Sequence, residues 1–306
     1  LEAFTPPVKE GHSDLSIELL KLNQILAKSK RPLILAGHGV RISGGAKKFK
    51  ELVDKLGIPC VFTWNASDLL AWNDPLYVGR PGVVAARSPN FAVQNCDCLI
   101  SIGCRLDNVI TAYNPKGFAR NAKKIVVDVD QNELDRHELE VVLPILSDAK
   151  HFINSWLDNI ESYPARWDEW RAQCLDWKRR YTPLDSRQFD SIGPMSHYQF
   201  VETISNAIPE IQLVITGSSG LAVEVFYTAY RNKSGQRMFL TSGLGSMGYG
   251  LAASIGACIG AGRRPTVCVE SDGSLMLNLQ ELATLKALNL PITVVVMNNG
   301  GYASIR

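Results

Sequence analysis

The sequence contains no uninterrupted apolar stretch of the roughly 18 residues that a membrane-spanning helix requires. It also carries little excess charge, since 32 Lys and Arg residues against 30 Asp and Glu residues leave a net charge of +2. No broad basic surface for nucleic acid or for an anionic membrane is therefore expected. The opening residues lack the basic head and apolar middle of a secretory signal. With 46% hydrophobic and 20% charged residues, the composition is ordinary for a soluble globular protein.

Metal-binding cysteine pairs are also missing. The chain has seven cysteines, an odd number, and one closely spaced pair, Cys96 and Cys98, is followed by no second pair. Most of the cysteines stand in apolar, strand-like segments, so we expect reduced thiols that are buried as small hydrophobic groups. Reduced cysteines in a chain of this length are typical of a cytoplasmic protein.

The length of 306 residues favours two domains over a single packed core. Apolar strands alternate with helical segments in both halves, at 32–36, 98–103 and 124–130 and again at 212–216, 266–269 and 292–297. Such strands indicate parallel sheets covered on both faces, so the predicted fold class is α/β with two doubly wound domains. The predicted divisions are a linker (1–16), a central Rossmann-like domain (17–160), an interdomain segment anchored by tryptophans (161–192) and a second domain (193–306).

Polar residues follow two strands of the second domain. Asp272 comes after one apolar strand, within Ser271-Asp272-Gly273-Ser274, and Asn298 and Asn299 directly follow the strand at 292–297. The carboxyl ends of parallel strands meet at one edge of a sheet, which is where ligands bind in such folds. A carboxylate, an amide oxygen, water and phosphate oxygens are what Mg²⁺ prefers. The pattern therefore predicts a Mg²⁺ site that also holds a diphosphate.

Two glycine-rich turns lie in the same domain. Gly243 to Gly248 matches G-x-G-x-x-G, and Gly217-Ser218-Ser219-Gly220 stands between a strand and a helix. The first match by itself is also compatible with a dinucleotide site of an NAD oxidoreductase, with Glu270 or Asp272 as the acid that meets a ribose. No catalytic acid or base stands near that turn. The combination with the double asparagine favours a cofactor whose diphosphate is bound through Mg²⁺ over NAD, which would bind without Mg²⁺.

These motifs resemble the signature of enzymes that use thiamine diphosphate (ThDP), and the stretch 243–302 resembles the cofactor domain of the acetolactate synthase family. The resemblance implies that Met247 props the cofactor into a bent shape and that Gly245 meets its aminopyrimidine. Ser271 departs from the family, which usually has Gly there. The implied ThDP contacts are Gly217, Ser218, Ser219, Gly245, Met247, Asp272, Gly273, Ser274, Asn299 and Tyr302, and the implied Mg²⁺ ligands are Asp272, Asn299 and the carbonyl of Gly301.

The first half resembles the central domain of the same family, which carries FAD in acetolactate synthases. Glycine turns admit a diphosphate, Arg105 can pair with it, and Asp128 at a strand end can accept from a ribose. A second basic residue expected after Asp107 is missing, because Val109 stands there. The implied FAD contacts are Gly37, Gly39, Thr63, Gly79, Arg80, Gly103, Arg105, Asp107, Asp128 and Val129.

The resemblance implies a ThDP- and Mg²⁺-dependent 2-oxo acid decarboxylase and carboligase, which decarboxylates pyruvate and transfers the acetyl unit to a carbonyl acceptor. It also implies a homodimer or homotetramer and a catalytic glutamate from an N-terminal pyrimidine-binding domain that is not found here. We therefore expect an incomplete second domain and a chain that is inactive by itself. Two alternatives within the class remain open, simple decarboxylation and transfer to a keto sugar. A third is a cofactor-binding or assembly subunit without chemistry of its own.

Overall fold

The computed structural model describes residues 13–135, 138–160, 166–183, 195–218 and 220–302. The strands within these ranges form two parallel sheets. The first sheet has the spatial order β3-β2-β1-β4-β5-β6, and all of its strand pairs are parallel. The order reverses between β1 and β4, which creates a crevice at the carboxyl ends of these two strands. The strands are β1 (Pro32–Ala36), β2 (Cys60–Phe62), β3 (Tyr77–Gly79), β4 (Cys98–Ile102), β5 (Lys123–Asp128) and β6 (Val141–Leu146).

Helices cover both faces of the first sheet. β1 and β4 are buried along their whole length, as expected for strands between two helical layers. The helix at 46–56 was predicted with the same bounds, because its buried residues Phe49, Leu52, Val53 and Leu56 recur at helical spacing. The helices are α1 (Ser16–Lys28), α2 (Gly39–Ile42), α3 (Ala46–Leu56), α4 (Arg87–Asn95), α5 (Gln131–Asp135), α6 (Ala149–Asp158) and α7 (Asp168–Arg180).

Helix α7 packs on the first sheet, although it lies within the segment predicted to connect the domains. The indole N–H groups of Trp167 and Trp170 donate to the carbonyl oxygens of Ser29 (3.1 Å) and Pro32 (2.8 Å). Both tryptophans and Cys174 belong to the apolar core of the first domain. The described part of the predicted interdomain segment is therefore mostly a helix of that domain.

The second sheet has the order β10-β9-β7-β8, again with parallel pairs throughout. Both domains are therefore α/β units with parallel sheets, as predicted. β9 is buried at every position, whereas the edge strand β10 is half-buried or exposed at every position except Met297. The strands are β7 (Leu213–Thr216), β8 (Arg237–Phe239), β9 (Thr266–Ser271) and β10 (Ile292–Met297). The helices are α8 (His197–Ala207), α9 (Glu224–Ala229), α10 (Tyr249–Gly260), α11 (Asp272–Leu275) and α12 (Glu281–Ala287).

A buried carboxylate joins the two domains. Asp68, in the loop after β2, pairs with Arg41 (2.8 Å) of its own domain and with Arg237 (3.0 Å) of the second domain. It also accepts from the backbone N–H of Met238 at 2.7 Å. Asn65 adds two hydrogen bonds of 3.0 Å to the backbone of Leu240. The first domain thereby fixes the position of β8 and of the glycine-rich turn that follows it.

Two further expectations from the sequence have structural counterparts. All seven cysteines are free and buried. Within the described residues, no helix combines the length and the apolar character that crossing a bilayer demands.

Candidate functional site

The candidate site lies at the carboxyl edge of the second sheet, where the loops after all four strands meet. The strand order places the loop after β10 beside Asp272, Asp272 beside the loop that begins at Gly217, and that loop beside the turn after β8. Met297 of β10 pairs in register with Ser271 of β9. The two strands therefore end at the same level, and this register brings the polar residues that follow them together.

Three oxygen-bearing groups converge there, from Asp272, Asn299 and Gly301. The backbone N–H of Gly301 donates to Asp272 Oδ2 at 2.6 Å. The amide of Asn299 points one terminal atom at the Gly301 carbonyl oxygen (2.7 Å) and at Asp272 Oδ1 (3.3 Å). Gly300 and Gly301 have φ values of 80° and 102°, which only glycine adopts readily, and this turn brings the Gly301 N–H to Asp272 and the Gly301 carbonyl to Asn299.

The Asn299 atom that faces the two oxygens is itself the amide oxygen. An amide oxygen so close to two other oxygens is repelled by both unless a cation lies between them. Rotating the amide by 180° would instead present its N–H groups to both oxygens. Adjacent ligands of an octahedral Mg²⁺ with bonds of about 2.1 Å lie about 3.0 Å apart, close to the two separations in this cluster. The cluster can thus hold Mg²⁺ without a second carboxylate, and no group of three His, Cys, Asp or Glu side chains capable of metal binding occurs among the described residues.

The glycine-rich turn is held by side chains from the Asp272 segment. The backbone N–H of Gly248 donates to Ser274 Oγ (2.8 Å), and Asn278 Nδ2 donates to the Gly248 carbonyl (2.7 Å). Ser274 is buried inside α11 and caps no helix, so its hydroxyl connects two loops of the site. The role of Asn278 was missed from the sequence, because nothing in its spacing indicates that it reaches back to Gly248.

The loop that begins at Gly217 is joined to both neighbouring loops. The hydroxyl of Ser218 accepts from the backbone N–H of Thr241 at 3.1 Å, and Ser271 Oγ accepts from that of Ala222 at 3.4 Å. Ser219 lies outside the described residues. Ser271 has extended backbone (φ −85°, ψ 149°), so the backbone at this position does not require glycine.

A buried glutamate lies beneath these loops, and sequence reasoning gave it no structural role. Glu270 is fully buried, and neither of its carboxylate oxygens has a hydrogen-bond partner of good geometry. Burial raises the pKa of Glu270, although the Ser274 hydroxyl and nearby backbone amides, including that of Gly250, oppose the shift. A Cβ atom on Gly217 would lie 1.9 Å from Oε1, and one on Gly250 would lie 2.1 Å from Oε2. The carboxylate therefore fills a space that exists only because these two residues are glycines.

The remaining residues implied for ThDP line the same edge. Gly245 has a φ of 64° and lies beside the Ser218 carbonyl, while Met247 is 37% exposed on the same turn. The ring of Tyr302 covers Gly273 so closely that a Cβ there would lie 2.9 Å from Tyr302 Cδ1. The structure thus gathers all the described residues of this set along one edge of the sheet.

A second candidate site is a cavity of about 540 Å³ at the crevice of the first sheet. The turns after β1 and β4 touch there, since a Cβ on Gly37 would lie 2.0 Å from the Gly103 carbonyl oxygen. The volume is within the range of small-molecule and cofactor sites. The cavity extends to Ser242 and Gly243 of the second domain. Its lining includes the predicted residues Gly39, Thr63, Gly103, Arg105, Asp107, Asp128 and Val129.

Polar side chains of this cavity are partly engaged with the protein. Arg105 pairs with Glu133 at 3.1 Å, and Asp107 Oδ1 accepts from the backbone N–H groups of Val109 and Ile110. The structure does not bring Gly79 and Arg80 to this cavity. Both line a different one, where Arg80 lies over the ring of Tyr227.

Comparison with known proteins agrees with this arrangement. Residues 19–155 match the family described as thiamine pyrophosphate enzyme, central domain, and residues 216–306 match thiamine pyrophosphate enzyme, C-terminal TPP binding domain. A protein of Methanococcus aeolicus named "Probable acetolactate synthase large subunit" is 30% identical over 306 residues, covering 96% of this chain and 50% of that protein. The acetolactate synthase isozyme 1 large subunit of Escherichia coli (strain K12) is 32% identical over 274 residues, covering 89% and 46%.

The chain spans about half the length of the curated relatives that it matches. Both sheets fall within the two matched regions, except for the first part of β7, and helices α7 and α8 lie between those regions. The chain belongs to the thiamine pyrophosphate enzymes, with one region that matches their central domain and one that matches their C-terminal TPP binding domain.

Proposed function

We propose that this chain is part of a ThDP- and Mg²⁺-dependent enzyme that decarboxylates a 2-oxo acid, most simply pyruvate, and transfers the resulting acetyl unit to a carbonyl acceptor. The observation that carries the proposal is that the Asp272 carboxylate, the Asn299 amide and the Gly301 backbone meet after two neighbouring strands, because these groups offer the oxygen ligands that Mg²⁺ prefers. The names of the acetolactate synthase relatives support the reaction class.

Each part of the chain would have a separate task. Asp272, Asn299 and the Gly301 carbonyl would hold Mg²⁺, which in turn binds the diphosphate. Backbone N–H groups after β7 and around Gly273 would meet the phosphate oxygens. Met247 and Gly245, on the turn held by Ser274 and Asn278, would position the rings. When bound, ThDP supplies the electron sink for decarboxylation, and the protein's part is to orient it and to exclude water.

The base that activates the cofactor is proposed to come from another domain of the whole protein. Glu270, the buried carboxylate beneath the loops, points between Gly217 and Gly250 and is proposed to serve a structural role there. We therefore propose that the 306-residue chain binds the cofactor but does not turn over pyruvate by itself.

Calorimetric titration with ThDP, with and without Mg²⁺, tests the cation site. Asp272→Asn keeps the size of the side chain but removes its charge. We expect it to weaken the Mg²⁺-dependent part of ThDP binding by at least the roughly 10- to 100-fold that the loss of an outer-shell partner costs at a metal site. Asp158→Asn, an exposed position at the end of α6, serves as the control. Equal Mg²⁺-dependent affinities for ThDP in the wild type and Asp272→Asn would contradict the proposal.

Product analysis with the whole protein separates the reactions. Acetaldehyde as the sole product would indicate simple decarboxylation, and a lengthened keto sugar would indicate a different acceptor. Mg²⁺-dependent cofactor binding without consumption of any 2-oxo acid would indicate a cofactor-binding subunit.

We further propose that the 540 Å³ cavity of the central domain takes a dinucleotide such as FAD. The crevice between β1 and β4, the touching glycine turns and Asp128 at the end of β5 support this proposal. The purified protein would then be yellow, with a flavin absorbance band. Asp128→Ala would lower its flavin content, whereas Asp54→Ala, on the exposed face of α3, would not. A colourless protein that takes up no added FAD contradicts this assignment.

A further inference from the structure

A small cavity of about 40 Å³ lies where three parts of the chain meet. They are β3 with the loop that follows it, the end of α7 with the residues after it, and residues 228–231 at the end of α9. The cavity shares no lining residue with the proposed dinucleotide cavity, nor with the loops around Asp272. Its volume exceeds the roughly 15 Å³ that one water molecule needs, so it has room for a few waters or one small anion.

Arg80 is the most unusual group in this cavity. The residue is more than nine-tenths buried, and among the described residues its guanidinium forms neither a hydrogen bond nor an ion pair, so its nitrogen atoms face the cavity. Its guanidinium lies over the ring of Tyr227, with the carbon at 4.8 Å from the ring centre. Burial lowers the pKa of Arg80. A buried cation without a counter-ion destabilises the folded state, and the described residues supply no counter-ion for Arg80.

Two further cations line the cavity. The ammonium group of Lys178 on α7 donates to the carbonyl oxygens of Trp72 and Tyr77 and lies 4.2 Å from the ring centre of Trp72. Arg231 lies over the same tryptophan, at 4.8 Å, and pairs with Glu202 at 3.1 Å.

The electrostatic balance of the cavity is positive. Burial and Arg231 lower the pKa of Lys178 to about 7, and Asp74 opposes the shift. The described lining contains three cationic side chains and no Asp or Glu, and Ser88 and Thr228 add hydroxyl groups.

We propose that this cavity binds a small oxyanion of the size and charge of phosphate, held by Arg80, Lys178 and Arg231. A guanidinium fork and an ammonium group are the donors that phosphate oxygens favour. The anion would supply the partner that Arg80 lacks. Because the loop after β3, helix α7 and the segment after α9 each contribute a cation, a bound anion would also stabilise the contact between the two domains.

Thermal unfolding of the full chain in inorganic phosphate tests this proposal, with chloride keeping the ionic strength constant. At about five times the dissociation constant, phosphate should raise the Tm of the wild type by roughly 2 °C. Arg80→Met should abolish the shift. In chloride alone, Arg80→Met should melt no lower than the wild type, because an apolar side chain replaces a buried, unpaired cation. Arg179→Met, one residue beyond Lys178 but exposed and paired with Asp176, should keep the full shift.

Three results would overturn the proposal. The first is that phosphate does not raise the Tm of the wild type, and the second is that it raises the Tm of Arg80→Met equally. The third is that Arg80→Met melts at a lower temperature than the wild type in chloride, or does not fold. Phosphate bound at the diphosphate loops of the second domain would raise the Tm of both proteins alike and is thereby distinguished.

Glycerol phosphate separates two sources of the ligand. A shift equal to that of inorganic phosphate assigns the site to a phosphate ester, and a shift with inorganic phosphate alone assigns it to the free anion.

Discussion

The packing of Glu270 between two glycines predicts a large effect from adding one methyl group. In Gly217→Ala the new Cβ would lie 1.9 Å from Glu270 Oε1 and 2.7 Å from its carboxyl carbon. The carboxylate has no room to move away, because its other oxygen is already packed against Gly250. Oε2 lies 2.1 Å from the position that a Cβ on Gly250 would take. Gly217 is not in the left-handed region, so backbone strain does not add to this contact. Overpacking of a well-packed core costs about 1–3 kcal/mol, and we expect the upper part of that range.

A double-mutant cycle isolates the contact. Glu270→Ala removes the carboxylate that the added methyl group would meet, so Gly217→Ala should cost little in that background. The coupling free energy between the two substitutions should be about 1–3 kcal/mol. Urea unfolding gives the free energies, provided that the m values agree among the variants. As a matched control, Gly256→Ala on α10 adds a methyl group in open space and should stabilise the chain by about 0.5–1 kcal/mol.

Additive effects, within about 0.5 kcal/mol, would refute the reasoning. The outcome also bears on function, because Gly217 opens the loop that is proposed to meet the diphosphate. A displaced loop would lower ThDP affinity in Gly217→Ala, and Glu270→Ala would restore that affinity together with the stability.

Two predictions concern buried charges elsewhere. Asp68→Ala leaves Arg41 and Arg237 without their shared counter-charge and should lower the free energy of unfolding by roughly 3 kcal/mol. Asp54→Ala at the surface should cost under about 0.5 kcal/mol in the same urea titration, and similar costs for the two would contradict the role of Asp68. Because burial lowers the pKa of Lys178 to about 7, the folded chain binds fewer protons than the unfolded chain between pH 7 and the ordinary lysine pKa of 10.5. Stability should therefore rise with pH in that window, by up to about 1.4 kcal/mol per pH unit from this group. Lys178→Met should lack that rise, and parallel pH profiles of wild type and variant would refute it.

Many of the strands and helices could be predicted from the local spacing of apolar residues in the sequence. The strand at 292–297 and the helix at 46–56 have the predicted bounds, since each is marked by apolar residues at the spacing of its element. The short strand β3 and strand β6, whose residues alternate between buried and exposed, were not predicted. Helix α7 lies in the segment predicted to connect the domains through tryptophan anchors, and only the structure shows that Trp167 and Trp170 attach it to the first sheet.

The sequence by itself determined the residue types of the site and which strands carry them, because a carboxylate and an amide after two apolar strands leave little choice of chemistry. Only the tertiary structure decided which groups meet. Strand register sets Asp272 beside Asn299, and the turn at Gly300 directs the Gly301 carbonyl towards them. Packing between distant segments placed Glu270 between two glycines and Arg80 in a cavity of its own. Such contacts join residues far apart in the chain, so no local spacing records them.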